Sequence, residues 1–138
     1  MFFGQQFAKF ANSSNRVFSY GLAQQLSGGT DWCPPKLGIC HAMDLSFVFG
    51  KPIEDFASGN YSQEDRQLSI DMISSWTNFA KTGDPGMMGT VKWEEAFAKE
   101  NEGLKSQQMM VLNVNNYQNL QGYFKSPCDD FWRLKIFV

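Results

Sequence analysis

The chain has 138 residues, 43% hydrophobic and 15% aromatic, which is enough apolar material for a folded core and argues against intrinsic disorder. Its formal net charge is only −2, and no run of five or six like charges occurs. The sequence therefore excludes a strongly basic nucleic-acid surface and a polybasic membrane surface. No stretch reaches the roughly 20 consecutive apolar residues that cross a bilayer.

The first predicted elements are a short helix, a strand and a long loop. Apolar residues recur at helical spacing over residues 3–11, so a helix ending near residue 12 is expected. An apolar run over residues 17–22 predicts a short strand. Between Ser27 and Gly38 the glycines and prolines exclude regular structure. We therefore expect a loop of about a dozen residues that leads the chain to His41.

A long helix is predicted over residues 62–82. Ser62 and Asp65 match the S-x-x-[DE] capping box, while Gly83 and Pro85 are typical of a helix end. Apolar residues at helical spacing usually mean packing, so we expect one buried face and no chemical role for it. The residues on that face are Leu68, Met72, Trp76 and Phe79.

The last third of the chain is predicted to add two strands and a helix. Trp93 and Phe97 are expected to anchor a short segment to the core, strands are predicted over residues 109–114 and 120–124, and a helix over residues 129–137. Alternating strands and helices favour an α/β fold. Two or three strands make a poor sheet on their own, so the fold is expected to be incomplete as a domain.

His41, the only histidine of the chain, is the first candidate for chemistry. Imidazole has an ordinary pKa of about 6.5 and exchanges a proton readily near neutrality. A lone histidine is more often structural, so composition alone leaves both roles open. No second histidine, CxxC or H-E-x-x-H pattern supports a metal site, so neither a metal nor another cofactor is expected.

Two sequons and three cysteines bear on the compartment of the protein. Asn12 and Asn60 each begin an N-x-[ST] pattern, which marks either a glycosylation site or a polar turn. The three cysteines cannot all pair within the chain. We expect Cys33 and Cys40 to form a disulfide that steadies the loop, with Cys128 as the odd thiol. The alternative for Cys40 is a small buried residue.

Two motifs resemble the C-terminal part of type-B carboxylesterases and cholinesterases. In the first, His41 is followed by a small residue, a variable residue, an acidic residue and then the run Phe47-Val48-Phe49-Gly50. The second reads S-W-T-N-F-A-K-T-G-D-P over residues 75–85. The resemblance implies that His41 is the catalytic histidine and leaves Met43 open as a substrate contact. Asp44 is expected to be structural, because a carboxylate is stabilised at a helix start.

The resemblance also implies that residues 1–138 are the C-terminal part of a type-B carboxylesterase domain, holding late sheet strands and flanking helices of an α/β-hydrolase. The chain contains no G-x-S-x-G motif, and in this fold the order is serine, acid, histidine. The serine and the acid are therefore expected upstream. Relatives often carry a Cys-Pro pair before the first helix, which residues 2–6 lack, so the partner of Cys128 is left open.

The implied function is carboxylic-ester hydrolysis, although these residues alone should be inactive. The expected partners are a small-molecule ester and the upstream part of the same polypeptide, without nucleic acid and with a homo-oligomer left open. The implied location is secreted or extracellular and membrane-anchored. The alternatives are a cholinesterase-like adhesion protein without a working triad and an unrelated stand-alone α+β domain.

Overall fold

The computed structural model describes residues 16–30, 32–97, 99–100, 103–104 and 108–122. The predicted helix ending near residue 12 and the predicted helix over residues 129–137 lie outside these ranges, as do Asn12 and Cys128. The chain divides into two compact units. The first comprises Met1–Tyr20, Glu94–Met110 and Asn119–Val138, and the second comprises Gly21–Trp93 and Val111–Gln118.

The described residues form three α-helices, two short 3₁₀ turns and seven strands. The helices are α1 (Asp44–Val48), α2 (Lys51–Glu54) and α3 (Gln63–Thr82), and the 3₁₀ turns are Pro35–Leu37 and Phe56–Ser58. The strands are β1 (Tyr20–Leu22), β2 (Met87–Met88), β3 (Val91–Lys92), β4 (Lys99–Glu100), β5 (Gly103–Leu104), β6 (Gln108–Leu112) and β7 (Gln118–Gln121).

The largest sheet in the described part of the chain has the strand order β1-β6-β7. Its central strand β6 is buried from Met109 to Leu112, which suits a strand with a neighbour on each side. These three strands overlap the three predicted from sequence. Two antiparallel hairpins were not predicted: β2 pairs with β3, and β4 pairs with β5.

Helix α3 begins and ends where the sequence predicts. The Ser62 hydroxyl accepts the Asp65 N–H at 3.1 Å, and the Asp65 carboxylate accepts the Ser62 N–H at 3.0 Å, which completes the capping box. At the other end Gly83 adopts a φ of 73° and its N–H donates to the Phe79 carbonyl. Leu68 and Met72 are fully buried, but Phe79 is 46% exposed, so the buried face ends one turn earlier than predicted.

The second sequence motif forms the end of α3 and the turn after it. Trp76 packs on Trp93 with 5.5 Å between ring centroids. The Thr82 hydroxyl donates to the Asn78 carbonyl at 2.8 Å and accepts the Asp84 N–H at 3.1 Å. The Asp84 carboxylate in turn accepts the Gly86 N–H at 2.8 Å. These bonds give the motif a structural role as a helix stop.

Tyr117 is tied to α3 by a hydrogen bond, and we predict an alkaline pH effect from it. Its hydroxyl donates to the Asp71 carboxylate at 2.7 Å. Burial, and after it the hydrogen bond to Asp71 and the charge of Asp71, raise the pKa of Tyr117 well above the ordinary value. A phenol with a raised folded-state pKa contributes stability that is complete below about pH 10, where the unfolded phenol titrates, and is lost as the pH rises further.

We expect Tyr117→Phe to lower the free energy of unfolding at pH 8 by about 1–2 kcal/mol. Between pH 8 and pH 11 the gap between the free energies of unfolding of the wild type and the variant should narrow by about 1 kcal/mol. The reason is that the unfolded wild-type chain is stabilised by ionisation of this phenol, which the variant lacks. Urea titrations at both pH values measure the gap. A gap that stays constant would show that the bond to Asp71 does not hold the phenol protonated.

Candidate active site

His41 lies at the tip of a tight turn in the second unit. The Met43 N–H donates to the Cys40 carbonyl at 3.3 Å, which closes a β-turn with His41 and Ala42 as its two central residues. We call residues 40–43 the histidine turn. The His41 side chain is exposed and makes no hydrogen bond with the part of the chain that the structure describes. Its imidazole is therefore open to a reacting group from elsewhere.

Ala42 has a φ of 63°, and no other non-glycine residue among the described ranges has a positive φ. A positive φ at the third position of a turn is the type II requirement, which glycine meets best. Among residues that carry a Cβ, alanine has the smallest side chain in this left-handed region. The small residue after the histidine is thus explained by backbone geometry.

We predict opposite effects for two substitutions at Ala42. Valine should destabilise the fold by about 1–3 kcal/mol, because a β-branched side chain is strained at positive φ. Glycine should be neutral or stabilise by up to about 1 kcal/mol, because it removes the strain. Thermal unfolding of the two variants measures both effects. Equal melting temperatures for Ala42→Val and Ala42→Gly would contradict the turn geometry.

A disulfide joins Cys33 to Cys40, directly before the histidine. The two Cα atoms are 6.1 Å apart, within the ordinary disulfide range of about 4.4–6.8 Å. This pairing is the one expected from the sequence, with a small, buried Cys40 as the alternative. Cys33 is fully buried, so the bridge fixes one end of the histidine turn to the interior. Closing so short a loop contributes about 2–3 kcal/mol in the chain-entropy model.

The loop before the histidine contains more regular structure than the sequence predicts. Thr30 and Cys33 exchange backbone hydrogen bonds of 3.0 and 3.1 Å, and Pro35–Leu37 forms a 3₁₀ turn with proline at its start. Gly38 follows with a φ of 74°, and its N–H donates to the Pro35 carbonyl. Proline and glycine therefore end regular structure here while also closing local turns.

Met43 and Asp44 follow the histidine in different environments. Met43 is 0% exposed and packs in the core of the second unit, a position that favours packing over contact with substrate. Its assignment as a substrate contact stays a prediction. Asp44 is the first residue of α1, where a carboxylate is favourably placed for the helix dipole. Phe47, three residues later, is fully buried in the core.

Sequence reasoning missed the apolar surface of the loop and the wider role of Asp65. Leu37 and Ile39 are exposed on the loop that the disulfide closes, and Trp32 is exposed directly before it. Asp65 reaches beyond its helix cap to residues some 40 positions away. An acidic residue at the third helical position predicts a cap only, so no sequence signal could have found the longer contacts.

Neither a metal cluster nor a membrane span occurs in the described ranges. No group of three or more His, Cys, Asp or Glu side chains there could hold a metal ion. Among the helices in these ranges, none has both the length and the apolar character needed to cross a membrane.

Comparison with known proteins finds similarity between this sequence and the sequences of esterases. The carboxylesterase family model matches residues 3–132. A bile salt-activated lipase of Rattus norvegicus is 53% identical over 81 residues, and an acetylcholinesterase of Bungarus fasciatus is 38% identical over 81 residues. A medium-chain fatty acyl-CoA hydrolase precursor of Anas platyrhynchos is 34% identical over 84 residues.

These matches cover 58%, 58% and 61% of the chain but only 12%, 13% and 14% of the respective relatives. The chain thus spans a small part of the length of the curated relatives it matches. The family model, in contrast, extends over nearly the whole chain. Membership in that family implies the α/β-hydrolase fold class, with which the helices and small sheets described above agree. The chain therefore belongs to the type-B carboxylesterase/cholinesterase family.

Proposed function

We propose that residues 1–138 are the C-terminal segment of a serine carboxylic-ester hydrolase and that His41 is its general base and acid. The observation that carries the proposal is the presentation of His41. Its exposed imidazole stands on a β-turn that contains a left-handed alanine and is bound to the interior by the disulfide. Such a turn limits the positions that the imidazole can occupy, as proton transfer to and from a bound substrate requires.

In this mechanism a serine hydroxyl attacks the ester carbonyl while the imidazole of His41 takes the hydroxyl proton. The tetrahedral intermediate then expels the alcohol, which receives that proton from the imidazolium. A water molecule repeats the sequence on the acyl-enzyme and releases the acid. The serine, an acidic residue that orients the imidazole, and the donors that stabilise the oxyanion are supplied from outside residues 1–138.

The substrate that we propose is a small-molecule ester. The relatives are named for different acyl compounds, namely acetylcholine, fatty acyl-CoA and lipid, so their names do not select one acyl or alcohol group. Exposed Trp32, Leu37 and Ile39 favour an ester with an apolar part. No metal or other cofactor takes part in this mechanism.

We also propose that the protein acts in an oxidising, extracellular setting, either secreted or anchored at the membrane. A disulfide such as Cys33–Cys40 persists in secreted proteins and is rare in the reducing cytosol. Asn60 is exposed in the segment between the second 3₁₀ turn and α3, where a glycan would meet solvent. Glycosylation of Asn12 and assembly into a homo-oligomer stay predictions.

A fluorophosphonate probe tests the proposed function in the full-length polypeptide. The probe reacts covalently with a serine only when a working base has activated it. We expect one serine to be labelled in the native protein, and neither the heat-denatured protein nor the His41→Gln variant to be labelled. A native protein that takes no label and hydrolyses no ester would overturn the proposal and support the adhesion alternative.

A further inference from the structure

Asp65 makes more contacts than a helix cap needs. Asp65 is 1% exposed, and its two carboxylate oxygens accept three hydrogen bonds. One oxygen accepts the N–H groups of Ser62 and Ser27, each at 3.0 Å, and the other accepts the side-chain amide of Gln24 at 3.3 Å. The bond to Ser62 completes the cap. The other two fasten a distant segment to the start of α3.

That segment is the beginning of the loop that ends at His41. Gln24 is 8% exposed, and its amide oxygen accepts the Val114 N–H at 3.0 Å. The Gln24 side chain therefore bonds to Asp65 through its amide nitrogen and to Val114 through its amide oxygen. Gly28 lies against Asn60, three residues before α3 begins: a Cβ atom on Gly28 would come within 2.4 Å of the Asn60 carbonyl oxygen. The start of the loop is thus fixed on the N-terminus of α3.

A continuous set of bonds leads from this anchor to the histidine. The Gly29 N–H donates to the Leu26 carbonyl at 3.0 Å, and Thr30 pairs with Cys33 through backbone hydrogen bonds. The disulfide then connects Cys33 to Cys40, which begins the histidine turn. Each step from Ser27 to Cys40 is a hydrogen bond or a covalent bond, so the contacts of Asp65 and the turn that carries His41 belong to one bonded network.

We propose that Asp65 is a positioning residue for His41. It acts by fixing the start of the loop, at Gln24 and Ser27, that leads through the disulfide to His41. The inference rests on the proposed esterase function. A carboxylate can accept from all three donors, whereas asparagine replaces one acceptor oxygen with an NH₂ group. In Asp65→Asn the NH₂ group of the asparagine faces the NH₂ group of Gln24, so Gln24 loses an acceptor. If the Gln24 amide rotates to accept from the asparagine, its oxygen leaves the Val114 N–H, which then loses its acceptor. Either way the loop is held by one hydrogen bond fewer.

Steady-state hydrolysis of a neutral ester by the full-length protein tests the inference. We expect Asp65→Asn to lower kcat about 10–100-fold, since a misplacement near 1 Å can cost that much, while KM stays within about threefold. Ser62→Ala is the matched control, because it removes the side-chain cap but leaves the backbone N–H that Asp65 binds. Its kcat should stay within about twofold of wild type.

The outcomes separate this inference from the proposed function. If wild type hydrolyses the ester with a rate that depends on His41, but Asp65→Asn and Ser62→Ala have equal kcat, the positioning role is wrong. If hydrolysis does not depend on His41, the proposed function is wrong and the inference falls with it. Should Asp65→Asn fail to fold, Gln24→Met removes one of the three bonds instead. An unchanged kcat in Gln24→Met would then overturn the inference, and a loss of about 3–10-fold with KM unchanged would support it.

Discussion

Replacing His41 with glutamine in the full-length polypeptide should lower kcat for ester hydrolysis by about 10³–10⁶-fold, the usual loss when one member of a catalytic triad is removed. Glutamine is close in size to histidine, and its side-chain amide can still donate and accept hydrogen bonds. It cannot carry a proton from the serine to the leaving alcohol. Substrate should still bind, so we expect KM to change much less than kcat.

Hydrolysis of a p-nitrophenyl ester by the purified variant measures this loss. The matched control is Ala42→Gly, which alters the same turn but keeps the imidazole and should retain activity within about tenfold. An activity of His41→Gln within tenfold of wild type would show that another group is the base. His41 would then be a structural residue of the turn, the alternative that composition alone favours.

Replacing Phe47 with alanine should lower the free energy of unfolding by about 3–5 kcal/mol. Phe47 is fully buried on α1, and its backbone carbonyl accepts the hydroxyl of Ser69 on α3 at 2.5 Å. Removing the ring leaves a cavity between the helix that follows the histidine turn and the longest helix of the second unit. Chemical denaturation of the variant measures the cost.

Phe49, two residues after Phe47, supplies the matched control. Its side chain is 80% exposed in this structure, so Phe49→Ala should cost less than about 1 kcal/mol as far as the described residues are concerned. A larger loss at Phe49 in the full-length protein would show that another part of the polypeptide covers it. A loss below 1 kcal/mol at Phe47 would contradict its place in the core.

Local signals predict the helices and strands well where they are dense. Around α3 the capping box, the buried apolar stripe and the glycine stop all agree, and the helix lies where they place it. The apolar run of β6 is likewise found as a buried strand. Phe79 departs from the pattern because helical periodicity tells which residues share a face but not how far the neighbouring core extends along it.

The candidate site is less accessible to sequence reasoning, because its geometry depends on contacts between distant residues. The motif around His41 identifies the histidine, but no local rule predicts a left-handed Ala42 or the short turns inside a loop rich in proline and glycine. The cysteine spacing allowed a disulfide without requiring one. The bonds from Asp65 to Gln24 and Ser27 span about 40 positions, which no periodicity or motif encodes.

The pH dependence of kcat/KM between pH 5 and pH 8 tests the central claim most directly, because an imidazole that already holds a proton cannot accept one from the serine. For the wild-type full-length protein and a neutral ester, we predict a rate that falls on the acid side by about tenfold per pH unit, as expected for a single proton. The residual rate of His41→Gln should lack that acid limb. A wild-type rate that is flat across this range would contradict His41 as the general base.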